Sequence, residues 1–161
     1  TSVQDGARST RPFSWRSKEL LSRIGSVFQT PEQQFIAGTV GEELAAGPRA
    51  LKLASAEASA RVDELLNRLH LNELAQAHPF TLSGGQQRRL SVGTTLATKP
   101  KVLILDEPTF GQDALTWAQL VSLIAELRDE GHAIVAITHD AEFVSAIADR
   151  VLELGVGNGD N

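Results

Sequence analysis

Two hydrophobic patterns alternate along this chain of 161 residues. Apolar runs predict strands at 23–29, 102–105 and 133–138, and the last two have the continuous apolar character of strands buried in a parallel sheet. Between these runs, apolar residues at helical spacing predict helices over 55–74 and 115–130. Strands that alternate with helices in this way predict an α/β fold, with a mostly parallel sheet flanked by helices.

Local signals add two further elements. Thr39 precedes a helical segment that has Glu42 three positions later, which predicts a capping box at the start of that helix. Gly47 and Pro48 predict its end. A last strand is predicted at 150–154.

Composition narrows the class of protein. Apolar residues make up 42% of the chain, as in an ordinary globular domain, and no apolar run approaches the ~20 residues of a membrane span. The chain has no cysteine, so it can form neither a disulfide nor a thiolate metal site. The net charge of −5 argues against general nucleic-acid binding, and we predict no nucleic-acid partner.

The stretch Ser83-Gly84-Gly85-Gln86 opens a segment of good helix formers. Glycine lets the backbone approach a ligand closely, and a helix N-terminus offers unpaired N–H groups with a partial positive charge. Together with the Ser83 hydroxyl in the N-cap region, these features predict a phosphate site. The same residues are also compatible with a simple turn before a helix.

Two adjacent acids, Asp106 and Glu107, follow the apolar run 102–105. Open α/β sheets keep their ligands at the carboxyl ends of the strands. Because neighbouring strand positions point in opposite directions, one acid can hold a magnesium ion, directly or through water, while the other orients or deprotonates a water. The alternative for this pair is a solvated strand end.

Taken together, these two stretches resemble the ATP-binding cassette (ABC) ATPases. Residues 82–86 match the signature motif of that family letter for letter, and residues 103–107 match its Walker B strand with the following glutamate. Segments 28–34 and 108–113 are similar to the ATPase subunits of energy-coupling factor importers, which take up vitamins or cobalt and nickel ions. The resemblance covers nearly the whole chain and implies a P-loop NTPase-like sheet with a helical subdomain.

The resemblance also implies roles for individual residues. Glu107 matches the general base that acts on water, and His139, which follows a predicted parallel strand, matches the switch histidine. A neutral imidazole there can donate to the terminal phosphate or position the water. Magnesium is implied to be held with help from Asp106 and from Gln29, the Q-loop glutamine. The remaining histidines are predicted to be structural or solvated: His70, His78 and His132.

Partners follow from the same resemblance. Two cassettes are implied to face each other head to tail, as a homodimer or a heterodimer, with ATP between them. The nucleotide-binding residues implied for this chain come from the signature and the D-loop: Ser83, Gly84, Gly85, Gln86 and Asp113. A transmembrane transporter subunit is implied to dock near residues 29–40, which places the protein peripherally at the cytoplasmic face of the cell membrane.

One family feature has no counterpart in the sequence, namely the Walker A loop with the pattern Gly-x-x-x-x-Gly-Lys-Ser/Thr. We therefore expect a partial ABC ATPase domain that lacks the N-terminal strands and Walker A. Its expected parts are a core remnant at 1–30, a helical subdomain at 31–95 and a second core segment at 96–161. Since the chain has no methionine, we expect a piece of a longer protein that is inactive alone.

Two other functions stay open on the sequence. The first is a non-catalytic cassette that completes a partner's ATP site through its signature motif. The second is a soluble ABC ATPase that is not linked to transport.

Overall fold

A computed structural model of the chain describes residues 15–27 and 35–154. Gln29, the predicted magnesium-binding amide, lies outside these ranges, as does the first half of the predicted docking segment 29–40.

The described ranges contain six α-helices and three strands. They are α1 (Ser17–Leu21), β1 (Ile24–Val27), α2 (Val40–Ala50), α3 (Ser55–Arg68), α4 (Gly84–Leu96), β2 (Val102–Asp106), α5 (Ala114–Asp129), β3 (Ala133–Ile137) and α6 (Ala141–Ile147). Short 3-10 turns at Asn72–Leu74 and Pro79–Thr81 connect α3 to α4. None of the described helices combines the length and the apolar character needed to cross a membrane.

The three strands form one parallel sheet in the order β1-β2-β3, which confirms the predicted α/β architecture. Ile24 of β1 pairs with Val102 at the start of β2, and Asp106 at the end of β2 pairs with Ile137 of β3. Because all strands run the same way, their carboxyl ends meet at one edge of the sheet. The segments that follow β2 and β3 therefore leave the sheet side by side.

The core lies between the sheet and the helices. On β2, Leu103 and Leu105 are buried on one face, while the alternate residues are half-buried. Helix α5 contributes the apolar face predicted for it, with Leu120, Ile124 and Leu127 buried. Apolar burial of this kind is the main favourable term in folding.

Helices α2, α3 and α4 pack together as a helical layer around a glycine of α4. A Cβ atom added at Gly93 would overlap the side chains of Leu44 on α2 and Leu69 just after α3. Both leucines are fully buried. The lack of a side chain at Gly93 thus sets how closely the three helices approach.

Helix α2 differs from its prediction at its end. Thr39 is the N-cap, and its hydroxyl accepts a hydrogen bond from the Glu42 N–H, but among the described residues the Glu42 side chain does not accept from the Thr39 N–H, so only half of the predicted capping box forms. Gly47 and Pro48, however, do not end the helix, which continues to Ala50. The Pro48 ring is buried, and the Pro48 carbonyl accepts from the Leu53 N–H, so packing and later hydrogen bonds hold the turn despite the missing N–H.

Two predictions near the carboxyl end of the chain are wrong, namely the burial of one strand and the existence of another. The predicted buried strand at 133–138 forms β3 but is largely exposed, with Val135 at 52% and Ile137 at 58% exposure. Among the described strands β3 has only β2 as a neighbour, and the described helices leave most of its apolar side chains exposed. The predicted strand at 150–154 forms no strand, because no described strand pairs with it.

The close approach at Gly93 generates a stability prediction. Gly93→Ala should destabilise the chain by about 1–3 kcal/mol through overpacking, which exceeds the gain in helix propensity of about 1 kcal/mol. Gly84→Ala is a matched control on the same helix, since a Cβ atom there would meet nothing within 4 Å. Urea unfolding of both variants measures the difference, and equal stability of the two would contradict this packing.

Candidate functional site

The N-terminus of α4 has a capping box and, beside it, two backbone N–H groups that can receive a ligand. The Ser83 hydroxyl accepts from the Gln86 N–H at 3.3 Å, and the Gln86 side-chain oxygen accepts from the Ser83 N–H at 2.8 Å, forming a capping box. Within the described ranges no acceptor pairs with the N–H groups of Gly84 and Gly85. Two first-turn donors with partial positive charge can therefore receive an anion such as phosphate.

Gly85 brings the start of α4 against the start of α5. A Cβ atom at Gly85 would lie 2.6 Å from Thr116 Cγ2 and 2.8 Å from Thr116 Oγ1. Thr116 in turn donates its N–H and its hydroxyl to the carboxylate of Asp113, the N-cap of α5, at 2.9 and 2.8 Å. These two hydrogen bonds lower the pKa of Asp113. The predicted signature and D-loop residues thus meet at Thr116.

Glu107 leaves β2 in an unusual conformation. Its φ is 45°, in the left-handed region that non-glycine residues rarely adopt. The Glu107 N–H donates to the Ile137 carbonyl at 2.9 Å, so the backbone stays attached to β3 while the chain turns. The carboxylate reaches the segment after β3, where Oε2 accepts from the Thr138 hydroxyl at 3.2 Å.

His139 contacts the same carboxylate. Its Nδ1 lies 2.9 Å from Glu107 Oε1, and its ring meets Phe110 edge-to-face at 6.2 Å between centroids. The His139 side chain is 74% exposed and that of Glu107 only 20%. The hydrogen bond to Glu107 and the charge of that carboxylate, with a smaller effect of Asp140, raise the pKa of His139. With Nδ1 held by Glu107, Nε2 is the ring nitrogen left for a ligand.

Asp106 has the chemistry of a magnesium ligand. It ends β2, is half-buried, and its carboxylate takes part in none of the hydrogen bonds or ion pairs of the described residues. A carboxylate with open oxygens at a strand end fits Mg²⁺, which binds through one or two carboxylates and keeps several waters. No cluster of three or more acidic, histidine or cysteine residues that could hold a metal occurs in the described ranges.

The predicted residues form two groups. Glu107 and His139 are joined directly, next to Asp106, whereas Gly85 and Asp113 are joined through Thr116. No hydrogen bond or ion pair between described residues joins a member of one group directly to a member of the other, although Trp117 links them indirectly by donating its N–H to the Asp113 carbonyl and its indole N–H to Asp140. The chain therefore carries an acid–imidazole pair and a separate anion-binding helix end.

Asp140 is a residue that the sequence reasoning missed. It is the N-cap of α6, and its carboxylate accepts from the backbone, from Trp117 and from Thr109. These hydrogen bonds, of which that from the Phe143 N–H has the largest effect, lower the pKa of Asp140 to about 2. The available signal was the position itself, since an aspartate between a strand and a short apolar helix is a typical N-cap.

Comparison with known proteins identifies the family. The family model described as ABC transporter matches residues 2–110, which is more than half of the chain. The chain belongs to the ABC transporter family.

Relatives and a solved structure agree with this assignment. YkoD of Bacillus subtilis (strain 168), named for HMP/thiamine import, is 50% identical over 140 residues, which cover 87% of this chain and 25% of YkoD. EcfA2 of Symbiobacterium thermophilum, an energy-coupling factor transporter ATP-binding protein, is 39% identical over 141 residues, 87% of this chain and 49% of EcfA2. The dimeric ATP-binding cassette MJ0796, solved in a post-hydrolysis state with ADP and Pi, has a TM-score of 0.69 and 29% identity over 80% of this chain and 57% of its own.

These findings confirm the predicted resemblance to ABC ATPases of energy-coupling factor importers and the predicted fold class. The chain spans a quarter of YkoD and about half of EcfA2. The roles of the individual residues remain predictions.

The contact between Glu107 and His139 generates a prediction about pH. Glu107→Gln should lower the pKa of His139 toward its ordinary 6.5, because both the charge and the strongest hydrogen bond are lost. A raised pKa stabilises the folded state below the ordinary pKa, and this contribution disappears as the pH rises through the raised value. The variant should therefore lose more stability at pH 5 than at pH 9.

Proton NMR titration of the His139 ring in the chain measures this pKa. The ring signals of His70, His78 and His132 serve as internal controls for an intact fold in both proteins. An unchanged His139 pKa in Glu107→Gln would show that the two side chains do not interact in solution.

Proposed function

We propose that this chain is part of an ATP-hydrolysing subunit of an ABC importer for a small solute such as a vitamin or a cobalt or nickel ion. The solute class is supported by the names of YkoD and EcfA2, which refer to HMP/thiamine import and to an energy-coupling factor transporter. Hydrolysis is supported by the chemistry of the site. The observation that carries it is the 2.9 Å contact between Glu107 and His139 at the carboxyl edge of the parallel sheet.

Glu107 is the proposed general base. Its carboxylate accepts a proton from a water whose oxygen forms a bond to the γ-phosphorus of ATP, while the bond to the leaving ADP oxygen breaks. The hydrogen bonds from Thr138 and His139 fix the direction of this carboxylate. Thr138 and His139 therefore orient the base. When the His139 ring is protonated at both nitrogens, a form that its raised pKa favours, the exposed Nε2 can also donate to a γ-phosphate oxygen.

Magnesium, when bound, neutralises charge on the phosphate oxygens. Asp106 is the proposed ligand in the described residues, because its carboxylate is open and directly precedes the base. Gln29 is a second proposed ligand, on the strength of the family resemblance alone.

A second ABC cassette is the proposed partner. The open N–H groups of Gly84 and Gly85 form an anion site, and no described hydrogen bond or ion pair links it to Glu107. A head-to-tail dimer would use this helix end, with the Ser83 hydroxyl and the Gln86 amide group, on the partner's ATP. The structural match to a dimeric cassette that holds ADP and Pi supports this arrangement. Asp113, at the start of α5, would lie at the same interface.

A transmembrane subunit is the other proposed partner, which would hold the protein at the cytoplasmic face of the membrane. The described end of the predicted docking segment, from Phe35 to Val40, leads into α2. Beside it lies an open groove of about 610 Å³ between α2 and α3, bordered by Thr39, Glu42 and Arg49. The packing of α2, α3 and α4 as one layer also supports a helical subdomain at 31–95 beside core segments at 1–30 and 96–161.

Loss of the base tests the proposal. In the intact protein that carries this chain, Glu107→Gln should reduce ATP turnover by about 10²–10⁴-fold, the range for general acid–base catalysis, while ATP still binds. Glu73→Gln is a matched control, since Glu73 is exposed and away from the sheet edge. Phosphate release and ATP retention are measured together, and turnover at the wild-type rate in Glu107→Gln would refute the assignment of the base and favour a non-catalytic cassette.

A further inference from the structure

The Asp140 carboxylate collects four hydrogen bonds from three parts of the fold. Oδ1 accepts from the N–H groups of Glu142 and Phe143 at 3.0 Å each, which caps α6. Oδ2 accepts from the Thr109 hydroxyl at 2.7 Å and from the Trp117 indole N–H at 2.8 Å. Hydrogen bonds from these three parts of the fold hold the carboxylate in one position.

Thr109 and Trp117 lie on either side of the loop 110–113 that contains the predicted D-loop. Thr109 is buried just after the turn at Glu107, and Trp117 stands in the first turn of α5. Since both donate to the same oxygen, the two ends of this loop are clamped to the residue next to His139. Trp117 packs against the core, and its indole N–H also holds the Asp140 carboxylate.

The backbone around Asp140 is tied to the Glu107 carboxylate as well. The Asp140 N–H donates to the Thr138 hydroxyl at 3.1 Å, and that hydroxyl donates to Glu107 at 3.2 Å. His139, between Thr138 and Asp140, is exposed and makes few packing contacts of its own. The direction of its ring therefore depends on how the residues on both sides of it are held.

We propose that Thr109 and Trp117, acting through Asp140, are positioning residues that hold His139 against Glu107. This role rests on the proposed function, because His139 and Glu107 are the pair that would carry hydrolysis. It gives the loop 110–113 a direct mechanical link to that pair. A partner cassette that displaces the loop would thereby change the contact between His139 and Glu107.

Charge can be separated from position in this network. The carboxylates that face His139 are those of Glu107 and Asp140, and both affect its pKa directly. Asp140→Asn would remove a charge and is a poor test. Thr109→Val and Trp117→Phe remove neutral donors, and Asp140 stays ionised near neutral pH because its pKa of about 2 leaves a wide margin. Any change at His139 in these variants must therefore come from its position.

The experiment is an NMR titration of His139 in the 161-residue chain. We expect Thr109→Val and Trp117→Phe each to lower the pKa of His139 toward 6.5 and to weaken its contact with the Phe110 ring. Thr109→Ser keeps the hydroxyl and should keep the pKa. Trp15→Phe is the matched aromatic control. Trp15 stacks with Arg23 near the start of the described residues, so this substitution should leave the pKa of His139 unchanged.

The outcomes separate position from folding. The ring signals of His70, His78 and His132 report whether each variant is folded, and the Trp15 indole signal adds a second report in the Thr109 and Trp117 variants. A folded Thr109→Val and Trp117→Phe with an unchanged His139 pKa would overturn the proposal, as would an equal drop in Trp15→Phe. If Thr109→Val unfolds, Trp117→Phe and Thr109→Ser decide. The titration needs no ATP turnover, so its failure is distinct from failure of the proposed function.

Discussion

The register of β2 against β3 is the constraint on which the rest of the site depends. Because Asp106 pairs with Ile137, Glu107 and residues 138–140 leave neighbouring parallel strands at the same level. Glu107 then adopts a φ of 45°, which costs about 1–3 kcal/mol for a residue with a side chain. The hydrogen bonds of Glu107 to Ile137, Thr138 and His139 offset this cost. The strained backbone lies where the carboxylate turns toward the next strand.

Helix N-caps fix the positions of the other predicted functional segments. Ser83, Asp113 and Asp140 are the N-caps of α4, α5 and α6, and each stands in or next to a predicted functional segment. An N-cap contributes about 1 kcal/mol, so these residues serve the fold and the site together. Substituting a cap confuses the two effects. Neutral donors such as Thr109 and Trp117 allow the geometry of the site to be altered while every cap and every charge stays in place.

The sequence predicted those parts of the structure that depend on local pattern. The β2 run, the acids after it and the Ser83 cap all follow from periodicity and capping chemistry. The exposure of β3 could not be predicted, because it depends on what lies beside the strand and not on its apolar residues. The continuation of α2 past Pro48 depends on burial of the ring. Asp140 is hydrogen-bonded to Thr109 and to Trp117, which are 31 and 23 positions away in the sequence, so only the folded chain shows this network.

If Glu107 and His139 act as one unit on the attacking water, as we propose, the effects of their substitutions on ATP turnover should not add. A double-mutant cycle of Glu107→Gln and His139→Ala in the intact protein, read as magnesium-dependent ATP turnover, tests this most directly. We expect strong non-additivity, with the double variant no slower than the slower single variant. Losses that multiply across the two substitutions would contradict it, because they would show that the carboxylate and the imidazole act independently.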